Sequence, residues 1–171
     1  MLGVIKANNS YLDKIRWELL ILALSQKDKP YVHGSHGPSS FDCAGLVWFL
    51  YNEILNIDLY ELGFGISTTT MIMTSKYGKI TLYEDSSLFK DLSNLDVGDI
   101  LFFHRQAKND NIPRVDNKYP GHCGLYLKDN YFIHCSGKYK KVTINNLDDD
   151  KYWRNILVGS KNIINEKVLK K

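Results

Sequence analysis

His122-Cys123-Gly124-Leu125-Tyr126-Leu127-Lys128-Asp129-Asn130-Tyr131-Phe132-Ile133-His134-Cys135 decides how this chain folds. Two apolar, aromatic-rich runs flank a short polar turn, the pattern of an antiparallel hairpin. With Lys128-Asp129-Asn130 as the loop and Asn130 left-handed, Leu127 faces Tyr131 and His122 faces Ser136. His134 then sits one step from His122 on the same face of the ribbon, where one imidazole can orient the other. A two-residue loop would put the two His on opposite faces, so the loop length is a commitment. Cys123 and Cys135 each follow a His, so alternation sends both to the other face, opposite one another. They read as core thiols, with a cross-strand disulfide as the lesser alternative.

On either side of this hairpin, residues 100–103, 142–144 and 155–158 continue the strand pattern, and a further strand is expected near 80–83. Helical spacing marks residues 10–25 through Leu12, Ile15, Leu19 and Leu22, with Ser10 as N-cap. Residues 43–55 repeat it through Leu46, Val47, Leu50, Tyr51 and Ile54, and a short helix is expected over 68–77. Helices first and an antiparallel sheet afterwards make an α+β domain. The expected organisation is an N-terminal helix over 1–26 packed on the domain, a catalytic domain over 27–162, and a basic tail over 163–171. Residues 105–121 form a polar loop long enough to be functional.

The 171 residues suit one domain, and 44% hydrophobic with 24% charged is the composition of a soluble globular protein. A net charge of +3 is too mild to argue for nucleic acid, although it would not repel an anionic wall or membrane surface. The most apolar stretch, Leu19 to Leu24, is far shorter than the roughly 20 residues a bilayer span needs. It also follows Asp13, Lys14, Arg16 and Glu18, which spoils an export signal. The expectation is a cytoplasmic protein, or one released to the wall by lysis or non-classical export.

Three Cys cannot all pair within one chain, which favours a thiol role over a disulfide scaffold. Cys43 opens a helix behind the small-residue loop Gly34-Ser35-His36-Gly37-Pro38-Ser39-Ser40. The helix start favours negative charge and so the thiolate. With His122 and His134 on one ribbon face, the set is nucleophile, base and orienter. A zinc site is the weaker reading: no C-x-x-C pair exists, and alternation separates the two His from Cys123 and Cys135. No metal or organic cofactor is expected. His33, His36 and His104 read as solvated loop residues, and Asp148-Asp149-Asp150 as a solvated turn.

Tyr31-Val-His-Gly, Phe41-Asp42-Cys43-Ala44-Gly45-Leu46-Val47, Leu95-Asp-Val-Gly98-Asp99-Ile-Leu-Phe102-Phe103, Gly121-His122-Cys-Gly124-Leu-Tyr126-Leu and Phe132-Ile133-His134 resemble, in order, the motifs of the NlpC/p60 cell-wall cysteine endopeptidases. The resemblance implies a papain-like fold, with the nucleophile's helix packed on an antiparallel sheet. It implies hydrolysis of the amide between D-γ-glutamate and the diamino acid of a peptidoglycan stem peptide or muropeptide. By position, Cys43 would be the nucleophile, His122 the base and His134 its orienter. Tyr31 would sit beside the nucleophile and help to place substrate or the oxyanion, and Asp42 would line a substrate subsite. The family usually has Ser after the nucleophile; Ala44 removes that way of recognising a free L-Ala amine. A related thiol amidase or acyltransferase, and a non-catalytic wall-binding module, are the alternatives.

Overall fold

The computed structural model describes residues 2–60, 68–83, 91–104 and 120–165; most of the expected loop over 105–121 and most of the basic tail lie outside them. Three helices come first: α1 (Leu2–Ser25), α2 (Cys43–Leu55) and α3 (Thr68–Thr74). Then follow β1 (Lys79–Leu82), β2 (Ile100–Phe103), β3 (His122–Lys128), β4 (Tyr131–Ser136) and β5 (Lys141–Asn146). A short helix α4 (Lys151–Ile156) leads into β6 (Leu157–Asn162). Among the described residues the strands form one antiparallel sheet, ordered β1-β6-β2-β3-β4-β5.

Alternation along the strands splits the core in two. Ile100, Phe102, Cys123, Leu125, Ile133 and Cys135 face α1 and α2, meeting Ile15, Leu19, Leu46, Val47 and Leu50. Leu101, Phe103, Tyr126 and Phe132 face the other way, against Leu147, Trp153, Ile156 and Leu157. α1 buries Ile15, Leu19 and Ala23, one stripe of a 3.6-residue period. Arg16 fixes its orientation: the guanidinium donates to the Val97 carbonyl, to Asp96 at 3.1 Å and to the Ile164 carbonyl at 2.9 Å.

Several sequence expectations are corrected. α1 runs back to Leu2, so Ser10 lies inside the helix and caps nothing. The hairpin loop is the two residues Asp129 and Asn130, both left-handed (φ 48° and 63°), the conformation of a type I′ turn. Lys128, not Leu127, pairs with Tyr131, and a bulge at Leu127 absorbs the extra residue. Beyond the bulge Tyr126 pairs with Phe132 and Leu125 with Ile133. The bulge thus restores the register a three-residue loop would have set, and the two His share a face after all. The last strand starts at Leu157, with α4 occupying residues expected as its start. Ile163 and Ile164, assigned to the tail, are buried in the core. His104 is buried rather than solvated, its backbone N–H bonded to the Ile156 carbonyl at 2.8 Å.

Candidate active site

Asp42 builds the corner that carries Cys43. As N-cap of α2 its Oδ1 accepts from the Gly45 N–H at 2.7 Å, and Oδ2 accepts from the Gly34 N–H at 2.9 Å. One buried carboxylate therefore ties the preceding loop to the helix and satisfies a free helix-end donor. Gly45 lets the loop close down: a Cβ there would lie 2.1 Å from the Ser35 carbonyl oxygen. Both Asp42 oxygens thus accept from the chain's own backbone.

Cys43 emerges from this corner half-buried. Its thiol pKa lies well below the ordinary range. The largest cause is a hydrogen bond from the Cys123 thiol. The charge and hydrogen bond of His122 and the Cys123 backbone add to it, and burial opposes. The start of α2 acts in the same direction. Thr69 of α3 places its Oγ1 3.9 Å from the Cys43 sulfur. The Cys123 thiol, enclosed in the core, is pushed well up, chiefly by that burial. Cys135 donates its S–H to the Phe41 carbonyl at 3.1 Å. All three thiols are free, so no cross-strand disulfide forms.

His122 and His134 meet as the register requires: His122 Nε2 and His134 Nδ1 are 2.8 Å apart. Gly124, opposite His134, makes room for this diagonal contact. A Cβ on it would fall 3.0 Å from His134 Cβ and 2.8 Å from the Ile133 carbonyl oxygen. His134 is fully buried. Burial, then the neighbouring His122, hold its pKa down to about 3, against a hydrogen bond to the Asn145 side-chain oxygen. It is therefore a neutral ring whose Nδ1 can accept from His122. Trp153 lies edge-on to His134 (centroids 4.6 Å) and tilted over His122 (5.1 Å), while Phe132 and Phe103 cover the remaining sides. These rings shield His134 from water, which strengthens its electrostatics, while His122 stays partly exposed.

The other sequence candidates are placed as follows. Tyr31 pairs with Phe41 in an isolated bridge. Its hydroxyl pKa is raised by burial first and then by the charges of Cys43 and Asp42. His33 is exposed, and His36 stands edge-on to the stacked rings of Trp48 and Tyr60. Asp150 is not a solvated turn residue: it N-caps α4 by accepting from the Tyr152 N–H at 3.1 Å. Sequence reasoning missed Cys123, Thr69, Trp153 and Asn145 as neighbours of the site. Asn145 Oδ1 lies 3.0 Å from His134 Nε2. Extending the hairpin register one strand further would have found it, because β5 repeats the diagonal relation that links β3 to β4. No group of three or more His, Cys, Asp or Glu among the described residues could hold a metal.

Comparison with known proteins places the chain in a family. The NlpC/P60 family model matches residues 28–162. The chain belongs to that family. Among its relatives are the Escherichia coli (strain K12) proteins named "Probable endopeptidase YafL" and "Murein DD-endopeptidase MepH". The first is 29% identical over 154 residues, covering 89% of this chain and 52% of the relative. The second is 24% identical over 148 residues, covering 86% and 45%. The chain thus spans about half the length of these relatives. The NlpC/p60 domain of the peptidoglycan hydrolase SagA superposes with a TM-score of 0.60 at 17% identity, covering 86% of this chain and 97% of that one. RipD of Mycobacterium tuberculosis, described as a non-catalytic NlpC/p60 protein adapted to peptidoglycan binding, gives 0.56 at 13% identity, with 87% and 97% covered. The α+β, papain-like NlpC/p60 fold expected from the sequence is the fold found. Among the described residues no helix is long and apolar enough to cross a membrane.

Proposed function

We propose that this NlpC/P60 chain is a cysteine peptidase that hydrolyses the D-γ-glutamyl–diamino acid amide of peptidoglycan stem peptides. The observation that carries the reading is the ordered contact of Cys43, His122 and His134, with a half-buried thiol of lowered pKa. His122 takes the Cys43 proton, and the thiolate adds to the amide carbonyl carbon. Backbone N–H groups at the start of α2 hold the developing oxyanion; donors of this kind are worth about 10²–10³ in rate. Collapse breaks the C–N bond, and His122 returns the proton to the leaving amine. Water, deprotonated by the same ring, then adds to the thioester and frees the acid and Cys43. Tyr31 flanks the sulfur as a substrate-placing group, and Asp42 holds the corner on which the thiol stands. No metal or organic cofactor enters this chemistry. A wall substrate is supported by relatives named as endopeptidases, one of them of murein.

The test is digestion of purified peptidoglycan and a defined muropeptide by wild type and Cys43→Ala, with products identified by mass spectrometry. Fragments cut after D-γ-glutamate, absent with Cys43→Ala, are expected. Release of intact stem peptide from the sugar, or acyl transfer, would reassign the enzyme to the amidase or acyltransferase reading. RipD motivates one further reading, a non-catalytic wall-binding module. Cosedimentation with cell walls and no Cys43-dependent product would favour it.

A further inference from the structure

The contacts of the imidazole pair continue past His134 in one direction. His134 Nε2 meets Asn145 Oδ1 at 3.0 Å. The amide nitrogen of Asn145 faces Asp150 Oδ2 at 3.3 Å and the Tyr139 hydroxyl at 3.4 Å. A carboxylate only accepts hydrogen bonds, whereas a tyrosine hydroxyl can do either, so Asp150 is the group that orients the amide. With Asn145 Nδ2 held toward Asp150, Oδ1 must face His134, and His134 must carry its proton on Nε2. Its Nδ1 is then a lone pair, able only to accept from the His122 Nε2–H 2.8 Å away. The one nitrogen of His122 left to exchange a proton with Cys43 is Nδ1.

From this geometry we infer that Asp150, acting through Asn145, is a positioning residue that sets which nitrogen of each active-site imidazole carries the proton, and so points the basic nitrogen of His122 at Cys43. The inference rests on the peptidase reading only for its effect on turnover; the proton positions themselves are independent of any substrate. Asp150 touches neither the sulfur nor the base. Its second oxygen caps α4, which fixes the carboxylate against the end of β5.

Reversing one bond should reverse the whole series. In Asp150→Asn the oxygen that caps α4 is kept, and Asn is as good an N-cap as Asp. The other oxygen becomes an NH₂ that confronts the Asn145 NH₂. Donor against donor is unfavourable, so Asn145 turns over and presents its NH₂ to His134 Nε2. His134 must then accept there and carry its proton on Nδ1. It donates to His122 Nε2, and the His122 proton moves to Nδ1, where no lone pair remains for the thiol. The swapped pair Asn145→Asp with Asp150→Asn restores the original polarity: the carboxylate now at position 145 would accept both from His134 Nε2–H and from the amide at position 150.

The experiment is ¹⁵N–¹H correlation NMR of the histidine rings in wild type, Asp150→Asn and the swapped double variant, with kcat and KM on a muropeptide and the rate of Cys43 alkylation. Expected are an Nε2–H His134 in wild type, an Nδ1–H His134 in Asp150→Asn, and Nε2–H again in the double variant. The single variant should lose about 10²-fold or more in kcat and in alkylation rate, the scale of a general base removed, with KM little changed. The double variant should recover most of both. An Nδ1–H His134 in wild type would overturn the inference, and so would an Asp150→Asn protein that keeps wild-type tautomers. A double variant as impaired as the single one, although folded, would reduce Asp150 to a helix cap. If Asp150→Asn does not fold, the wild-type tautomer and the double variant still decide. Wild-type rings protonated as expected, in a protein that cleaves no muropeptide, would reject the substrate reading and leave this one standing.

Discussion

Gly124 is the position at which a single methyl group should separate the two imidazoles. An added Cβ would sit 2.8 Å from the Ile133 carbonyl oxygen and 3.0 Å from His134 Cβ, where ordinary contacts begin near about 3.5 Å. Both obstacles belong to β4, so β3 and β4 must part locally by about half an ångström to regain ordinary contact. The 2.8 Å contact between His122 and His134 then stretches past the range of a good hydrogen bond. Overpacking of this kind costs about 1–3 kcal/mol, offset by the roughly 0.5–1 kcal/mol gained on replacing a strand glycine. The chain should therefore fold, with a melting point only a few degrees lower. Misplacing the base by a fraction of an ångström should cost about 10-fold to 10²-fold in turnover. Muropeptide cleavage, Cys43 alkylation and thermal melting of Gly124→Ala check this. Gly137→Ala serves as control, its Cβ meeting nothing nearer than the Tyr31 ring at 3.5 Å. Gly124→Ala activity within about twofold of wild type would show that the diagonal contact does not govern the base.

Three further perturbations follow from the same geometry. Cys123→Val removes the thiol that most lowers the Cys43 pKa, so Cys43 should ionise at higher pH and alkylate more slowly at neutral pH with little loss of fold. His134, neutral down to a pH of about 3 in the folded chain and ordinary at 6.5 when unfolded, makes the unfolded state bind the extra proton between those values. Stability should accordingly rise with pH across that window, and His134→Gln should flatten the acid limb of a melting-point profile. Asp99, raised to about 6 chiefly by burial, opposes this by losing stability as pH climbs from its ordinary value toward that one, so wild type and variant must be compared directly. Asp42→Ala leaves the Gly34 and Gly45 N–H groups without their acceptor, which should cost about 1–2 kcal/mol and, by loosening the corner, lower turnover as well; chemical denaturation measures the first.

The proposed catalytic set is legible because it depends on period and position alone. Cys43 at a helix start and two His on one strand face follow from counting residues, and the register survived a wrong turn. The two-residue turn is not legible because the bulge at Leu127 leaves every distal pairing unchanged, so the face pattern carries no trace of it. α4 escaped because Tyr152-Trp153-Arg154-Asn155-Ile156 is aromatic and short, which suits a strand as well as a helix turn. Asn145 lies one residue past the strand pattern, which ends at Ile144, and it is the diagonal partner of His134. Cys123 points to the core face as alternation requires, yet α2 brings Cys43 onto that same face. That contact depends on how helix and sheet dock, which no local period encodes.

The central claim is that His122 activates Cys43, and it is tested most directly by titrating that one thiol in wild type and His122→Ala. Ultraviolet thiolate absorbance and iodoacetamide labelling, mapped to residue 43 by peptide mass, would follow the sulfur across pH. Expected is ionisation well below the range of a free cysteine in wild type, shifted upward in His122→Ala together with loss of muropeptide cleavage. Identical titration curves for the two proteins, or an ordinary cysteine at position 43 in wild type, would contradict it.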